Sequence, residues 1–152
     1  MTMLTITFDP ALRPDGQHGL RSEYVETFWL PRLGPTAICF LRTMGLTYAP
    51  IEHLCHAPSV RMPFGELSAA IGLSQHERPY KNHRLLRMFR RLDFLHLAEL
   101  PRHFATATFP DDFEDHLGIR IAPYLPTLRP NQVADMPVSI QALHAVELAS
   151  RH

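Results

Sequence analysis

Cysteine is scarce: Cys39 and Cys55 are the only two in 152 residues, too few for a disulfide framework. Lysine is scarcer, with Lys81 the single lysine among fifteen cationic residues. No stretch reaches the roughly eighteen uncharged apolar residues of a membrane-crossing helix, so no membrane association is expected. Met1 to Pro10 lacks a basic region leading into an apolar run, which argues against a signal peptide and for a cytoplasmic protein. Net charge is also missing, because fifteen Lys plus Arg balance fifteen Asp plus Glu. That balance excludes a protein acting through bulk positive charge, while a local basic face stays open. What is present is apolar: 45% of the residues, enough for one globular domain with a real core.

Hydrophobic spacing predicts the elements. Residues 2–8 alternate loosely and read as a short strand or an extended arm. Residues 9–19 read as a loop. Ser22 is placed to cap a helix carrying Tyr24, Val25, Phe28 and Trp29, which Pro31 ends or kinks. Gly34-Pro35 opens an apolar helix through Ala37, Ile38, Phe40, Leu41 and Met44, with Cys39 in the core and Gly45 as a stop. Residues 63–70 form a short helix with Phe64, Leu67, Ala70 and Ile71 inward, followed by a Gly72-Leu73-Ser74 turn. A second helix runs from about Pro79 to Leu92.

After Asp93 the period changes to two. Phe94 to Ala98 reads as one strand, Pro101-Arg102 as a turn and Phe104 to Phe109 as a second strand. The expected fold is mainly α with a small β-hairpin, over residues 20–110. Residues 111–152 then form a C-terminal extension packed on the domain or offered to a partner. Within it, a helix over 139–150 carries Ile140, Leu143, Val146 and Leu148 as its apolar positions.

The sharpest chemical signal lies on the second helix. At 100° per residue, Leu85, Leu86, Met88, Phe89 and Leu92 share one side and Arg84, Arg87, Arg90 and Arg91 the other. From Arg78 to His103 there are seven Arg or Lys against two acids. A helix fits the major groove of duplex DNA, so double-stranded DNA is the expected ligand. Lys81, Asn82 and Arg84 are the candidate base readers; Arg87, Arg90 and Arg91 suit phosphates, as do Arg102 and Arg61 outside the helix. The competing reading is an ordinary solvated face, or one that receives an acidic partner. The acids Asp111, Asp112, Glu114 and Asp115 are a candidate mask for these arginines.

Other chemistry finds no pattern. His53, Cys55 and His56 cluster, and His76 is a candidate fourth, but no second half-site gives structural-zinc spacing. Phosphate-loop, dinucleotide-binding and serine-hydrolase motifs are absent. No metal, no cofactor and no enzymatic activity are expected. A DNA reader of this size works best as a dimer, which makes a homo-oligomer the expectation, with Tyr24, Trp29 and Leu143 as candidate contact residues.

The helix over Pro63 to Ala70, the turn through Ser74, the helix over Pro79 to Leu92 and the hairpin spanning Phe94 to Phe109 together resemble the winged helix-turn-helix superfamily. The segment from Tyr24 to Ala37 also resembles the opening of the winged-helix domain in DnaD-like replication initiators, although the separate helical DNA-binding domain of those proteins has no counterpart here. The resemblance points to Lys81, Asn82, Arg84 and Arg87 on the recognition helix and Arg102 on the wing, and the expected function is sequence-specific binding of double-stranded DNA as a small transcriptional regulator. Its alternative is a winged-helix protein-interaction module, an accessory factor in transcription or replication.

Overall fold

Leu4, Ile6 and Phe8 are fully buried, and the residues between them are only half-buried. That alternation is the mark of a strand with one face on the core. In the computed structural model, which describes residues 2–73, 83–101 and 116–151, this strand lies inside a sheet. In chain order the elements begin with β1 (Met3–Phe8), β2 (His18–Gly19) and a π-helical turn (Val25–Trp29) that runs into α1 (Leu30–Leu33). Next come α2 (Pro35–Tyr48), β3 (Ser59–Pro63) and α3 (Phe64–Ala70). After α4 (Arg84–Phe94) follow β4 (Ala98–Glu99), β5 (His116–Ile121) and β6 (Tyr124–Leu125). A short helix (Pro130–Val133) and a C-terminal helix (Val138–Ala149) close the described chain.

The main sheet has the order β3-β1-β5-β4. Strand β1 pairs antiparallel with β3, Thr5 opposite Arg61, and parallel with β5, Ile6 opposite Ile119. Strand β4 runs antiparallel to β5. A second, two-stranded sheet joins β2 to β6. The expectation of a mainly α fold with one small hairpin, a winged helix-turn-helix followed by a C-terminal extension, is therefore overturned: this is a mixed α/β fold. Its strands find their partners far along the chain, so local periodicity does not reveal them. Strands from residues 3–8 and 116–121 share one sheet with β3 and β4.

Smaller expectations are corrected too. Pro31 does not end its helix. The preceding turn widens to a π-helix, which accommodates a residue without an N–H, and α1 runs on to Gly34 at φ +84°. Gly45 lies inside α2, where the Arg21 backbone nitrogen would stand 3.2 Å from an added Cβ. The glycine permits close approach and does not stop the helix. Cys39 is exposed, on the outer side of α2, while Tyr24 and Trp29 are buried. Phe94 ends α4 and is exposed, and of the first expected strand, Phe94 to Ala98, only Ala98 lies in a strand, at the start of β4. The second expected strand, Phe104 to Phe109, lies outside the described residues.

Helix α4 ends in a Schellman arrangement: Leu97 N–H donates to the Leu92 carbonyl at 2.9 Å and His96 N–H to that of Asp93 at 2.9 Å. The left-handed position is held by His96 at φ +60°, where glycine is the usual occupant. His96→Gly is expected to stabilise the protein by about 0.5–1 kcal/mol, relief of the Cβ clash outweighing the added freedom of the unfolded chain. Urea denaturation measures it.

The C-terminal helix is fastened by polar side chains. Tyr24 Oη accepts from Leu128 N–H at 2.9 Å and lies 2.7 Å from His144 Nε2. His18 stacks on the Tyr24 ring with centroids 3.7 Å apart, and its Nε2 lies 2.8 Å from Thr127 Oγ1. Arg151, paired with Glu147 at 2.8 Å, reaches 3.4 Å from His18 Nδ1.

Candidate nucleic-acid interface

Helix α4 is positioned by its apolar side. Leu85, Leu86, Met88, Phe89 and Leu92 are buried, and the Phe89 ring meets Phe40 of α2 edge-on, centroids 5.4 Å apart. Its start is fixed by His83, a buried side chain whose Nδ1 accepts from Leu85 N–H at 3.1 Å. An imidazole accepting there satisfies one of the donors a helix start leaves over. The helix thus begins at Arg84, several residues later than the spacing predicts.

With that side docked, Arg84, Arg87 and Arg91 emerge together on the exposed side, and Arg90 is half-buried. The three exposed arginines and Met88 form one wall of an open cleft of about 290 Å³. Leu33, Thr36 and Ala37 form the other. Thr36 and Ala37 belong to the first turn of α2, whose N-cap Gly34 supplies no side-chain hydrogen bond. Amides in a first turn lack intrahelical acceptors and carry the positive end of the helix dipole. Two sources of positive potential therefore converge on one cleft: guanidinium groups from α4 and backbone dipoles from α2.

The arginines differ in how firmly they are held. Arg91 Nε and Nη2 both donate to the Arg32 carbonyl, at 3.0 and 2.6 Å, which ties α4 to the end of α1. Among the described residues, no carboxylate stands within ion-pair distance of Arg84 or Arg87. Both lie in the first turn of α4, which contains no acidic residue. A cation at that end opposes the helix dipole, so helix stability does not explain either one.

Arg61 is not brought to this cleft. It sits on β3 opposite Thr5, on the sheet face turned away from the buried Leu4, Ile6 and Phe8. Lys81, Asn82 and Arg102 lie outside the described residues, as do His76 and the acids Asp111, Asp112, Glu114 and Asp115. Among the described residues no three His, Cys, Asp or Glu side chains gather as a metal site. None of the described helices is long and apolar enough to cross a membrane. The sequence reading missed the α2 half of the cleft. Its signal was available in Gly34-Pro35-Thr36, a helix start with no capping side chain.

No known family model, curated protein or solved structure matches the chain.

Proposed function

We propose that the chain binds double-stranded DNA through the arginine side of α4, as a small sequence-specific regulator of transcription. The observation that carries this reading is the pairing of Arg84 and Arg87, without carboxylate partners among the described residues, with the uncapped start of α2 across one cleft. Phosphate is the anion that such a combination suits: amide N–H groups and guanidinium forks both donate to its oxygens. A helix about 10–12 Å across also fits a major groove of about 12 Å. In this reading Arg84 and Arg87, together with the α2 amides, hold phosphates of the backbone beside the groove that α4 enters. Arg91, bonded to the Arg32 carbonyl, fixes α4 in that position.

Fluorescence anisotropy with duplex DNA over a salt series tests it. Arg84→Ala and Arg87→Ala are each expected to flatten the slope of log affinity against log salt by about one where a phosphate contact is lost. Their unfolding midpoints should hold or rise slightly, because each removes a cation from a helix start. Selection from a random duplex library should return a preferred sequence. No duplex binding at about 50 mM salt, or an unchanged slope in both variants, overturns the proposal.

A further inference from the structure

The outward side of the main sheet is polar across all four strands. In one row Ser59, Thr7, Arg120 and Glu99 stand side by side on β3, β1, β5 and β4. In the next, Thr5 has Arg61 on one flank and Gly118 on the other. Threonines and charged residues are what an uncovered sheet face ordinarily carries. A glycine inside a strand is not, because it has no side chain to pack and weakens the strand by its freedom in the unfolded chain. Gly118 does not take a positive φ, and a Cβ added to it would meet only His116 Cε1, at 3.8 Å, an ordinary contact. Neither the backbone nor the packing therefore requires glycine here. What the missing side chain does is leave an open hollow of about 300 Å³ among Thr5, Thr7, Glu99, Pro101, His116 and Arg120.

The groups around the hollow are already held in place. Thr5 Oγ1 lies 2.6 Å from His116 Nε2, and Thr7 Oγ1 lies 2.8 Å from Ser59 Oγ. Arg120 is gripped from two sides, Nη1 donating to Glu99 Oε1 at 2.9 Å and Nη2 pairing with Asp9. Side chains ordered beforehand lower the cost of binding. Their charge is balanced, the guanidinium groups of Arg61 and Arg120 being matched by the carboxylates of Asp9 and Glu99. An anion entering the hollow would meet Glu99, and a cation would meet Arg120. A hydroxyl group both donates and accepts, so it suits carboxylate, guanidinium, imidazole and threonine alike. Between these polar groups the Gly118 backbone and the Pro101 ring offer C–H surface. We propose that the hollow binds one sugar ring, a neutral ligand with hydroxyls around its rim and C–H groups on its faces. Gly118 lets the ring lie close to the sheet. Glu99 and Arg120 take hydroxyls along one edge, and the Thr5 and Thr7 hydroxyls take those along another. Ligand pockets run from about 300 to 1,000 Å³, and this one stands at the lower end, so a single ring fills it. None of these residues lines the arginine cleft, and the proposal is independent of DNA binding.

Amide chemical shifts of the full chain, titrated in turn with the methyl pyranosides of glucose, galactose and mannose, test this without nucleic acid. At least one glycoside is expected to give saturable shifts centred on Thr5, Thr7, Gly118 and Arg120, with a dissociation constant of about 1–10 mM for so open a site. Gly118→Val fills the hollow with a residue that suits a strand, so it should weaken binding at least about tenfold while the urea midpoint holds or rises. Thr7→Val keeps the shape of the side chain without its hydroxyl and should weaken binding about three- to tenfold. It decides the matter if Gly118→Val does not fold. Arg84→Ala, in the arginine cleft, should leave sugar binding unchanged. Absence of saturable shifts at about 50 mM of every glycoside overturns the proposal. So do shifts centred away from Gly118, or inorganic phosphate binding more tightly than any glycoside. The parent's affinity in folded Gly118→Val or in Thr7→Val, or an equal loss in Arg84→Ala, overturns it as well.

Discussion

Phe89→Ala is expected to lower the free energy of unfolding by about 3–5 kcal/mol, read as a fall in urea midpoint at constant slope. The ring is fully buried. It stands in the middle of the inward side of α4, edge-on to Phe40, so its loss removes apolar burial and an aromatic pair together. The same residue holds the arginine side outward. Truncation should therefore weaken duplex binding by depleting the folded population, and the salt slope of the molecules still folded should be unchanged. Arg84→Ala should show the opposite pattern, a flatter salt slope with stability kept. Phe89→Leu keeps most of the volume and should cost less than about 1.5 kcal/mol. A Phe89→Ala variant within 1 kcal/mol of the parent would mean that α4 is not docked through this ring.

What the sequence made legible was the element whose pattern is complete within one stretch. In α4, five apolar and four arginine positions separate cleanly at helical spacing, and the buried and exposed sides follow that separation. Helix α2 is legible for a related reason: the apolar run from Ala37 to Leu41 behind Pro35 calls for a buried helix, and all of it but Cys39 is buried. The sheet was not legible. For β1 the alternation left a short strand or an extended arm open, because its partners begin at Ser59 and His116 and no local pattern reports pairing across such distances. In β5 the signal was present, Leu117, Ile119 and Ile121 alternating with Gly118 and Arg120, but it falls in the stretch read as a C-terminal extension. The C-terminal helix failed differently. Its apolar positions were identified, yet burial went to His144 because Tyr24, 120 residues away, offers the imidazole a hydroxyl. For the cleft, the α4 wall could be read in advance. The α2 wall required knowing which helix start lies beside it.

That same histidine cluster makes stability fall steeply with acid. His18 titrates at about 4, well below the ordinary histidine value of about 6.5. Burial is the main cause, the Arg151 guanidinium the next, and Glu147 opposes them in part. The geometry gives the reason. Arg151 Nη2 lies 3.4 Å from His18 Nδ1, and an arginine can only donate, so that nitrogen must keep its lone pair. Protonation would remove the acceptor and set two cations side by side. The His144 value is also lowered, by burial first, with Glu147 opposing it and Arg151 adding to it. Between about pH 6.5 and pH 4 the unfolded chain therefore holds protons that the folded chain refuses, and stability declines as pH falls through that window. The His18 contribution is fully present above the window and amounts to about 3 kcal/mol lost by its lower end, at about 1.4 kcal/mol per pH unit. Thermal unfolding between pH 7.5 and 5, above the range where most carboxylates protonate, should show the decline in the parent protein. His18→Phe keeps a ring stacked on Tyr24 and should flatten it, and His144→Gln should flatten it further while still accepting from the Tyr24 hydroxyl. A parent whose midpoint is constant over that range, or variants with the parent's slope, would show that neither imidazole is held neutral by the fold.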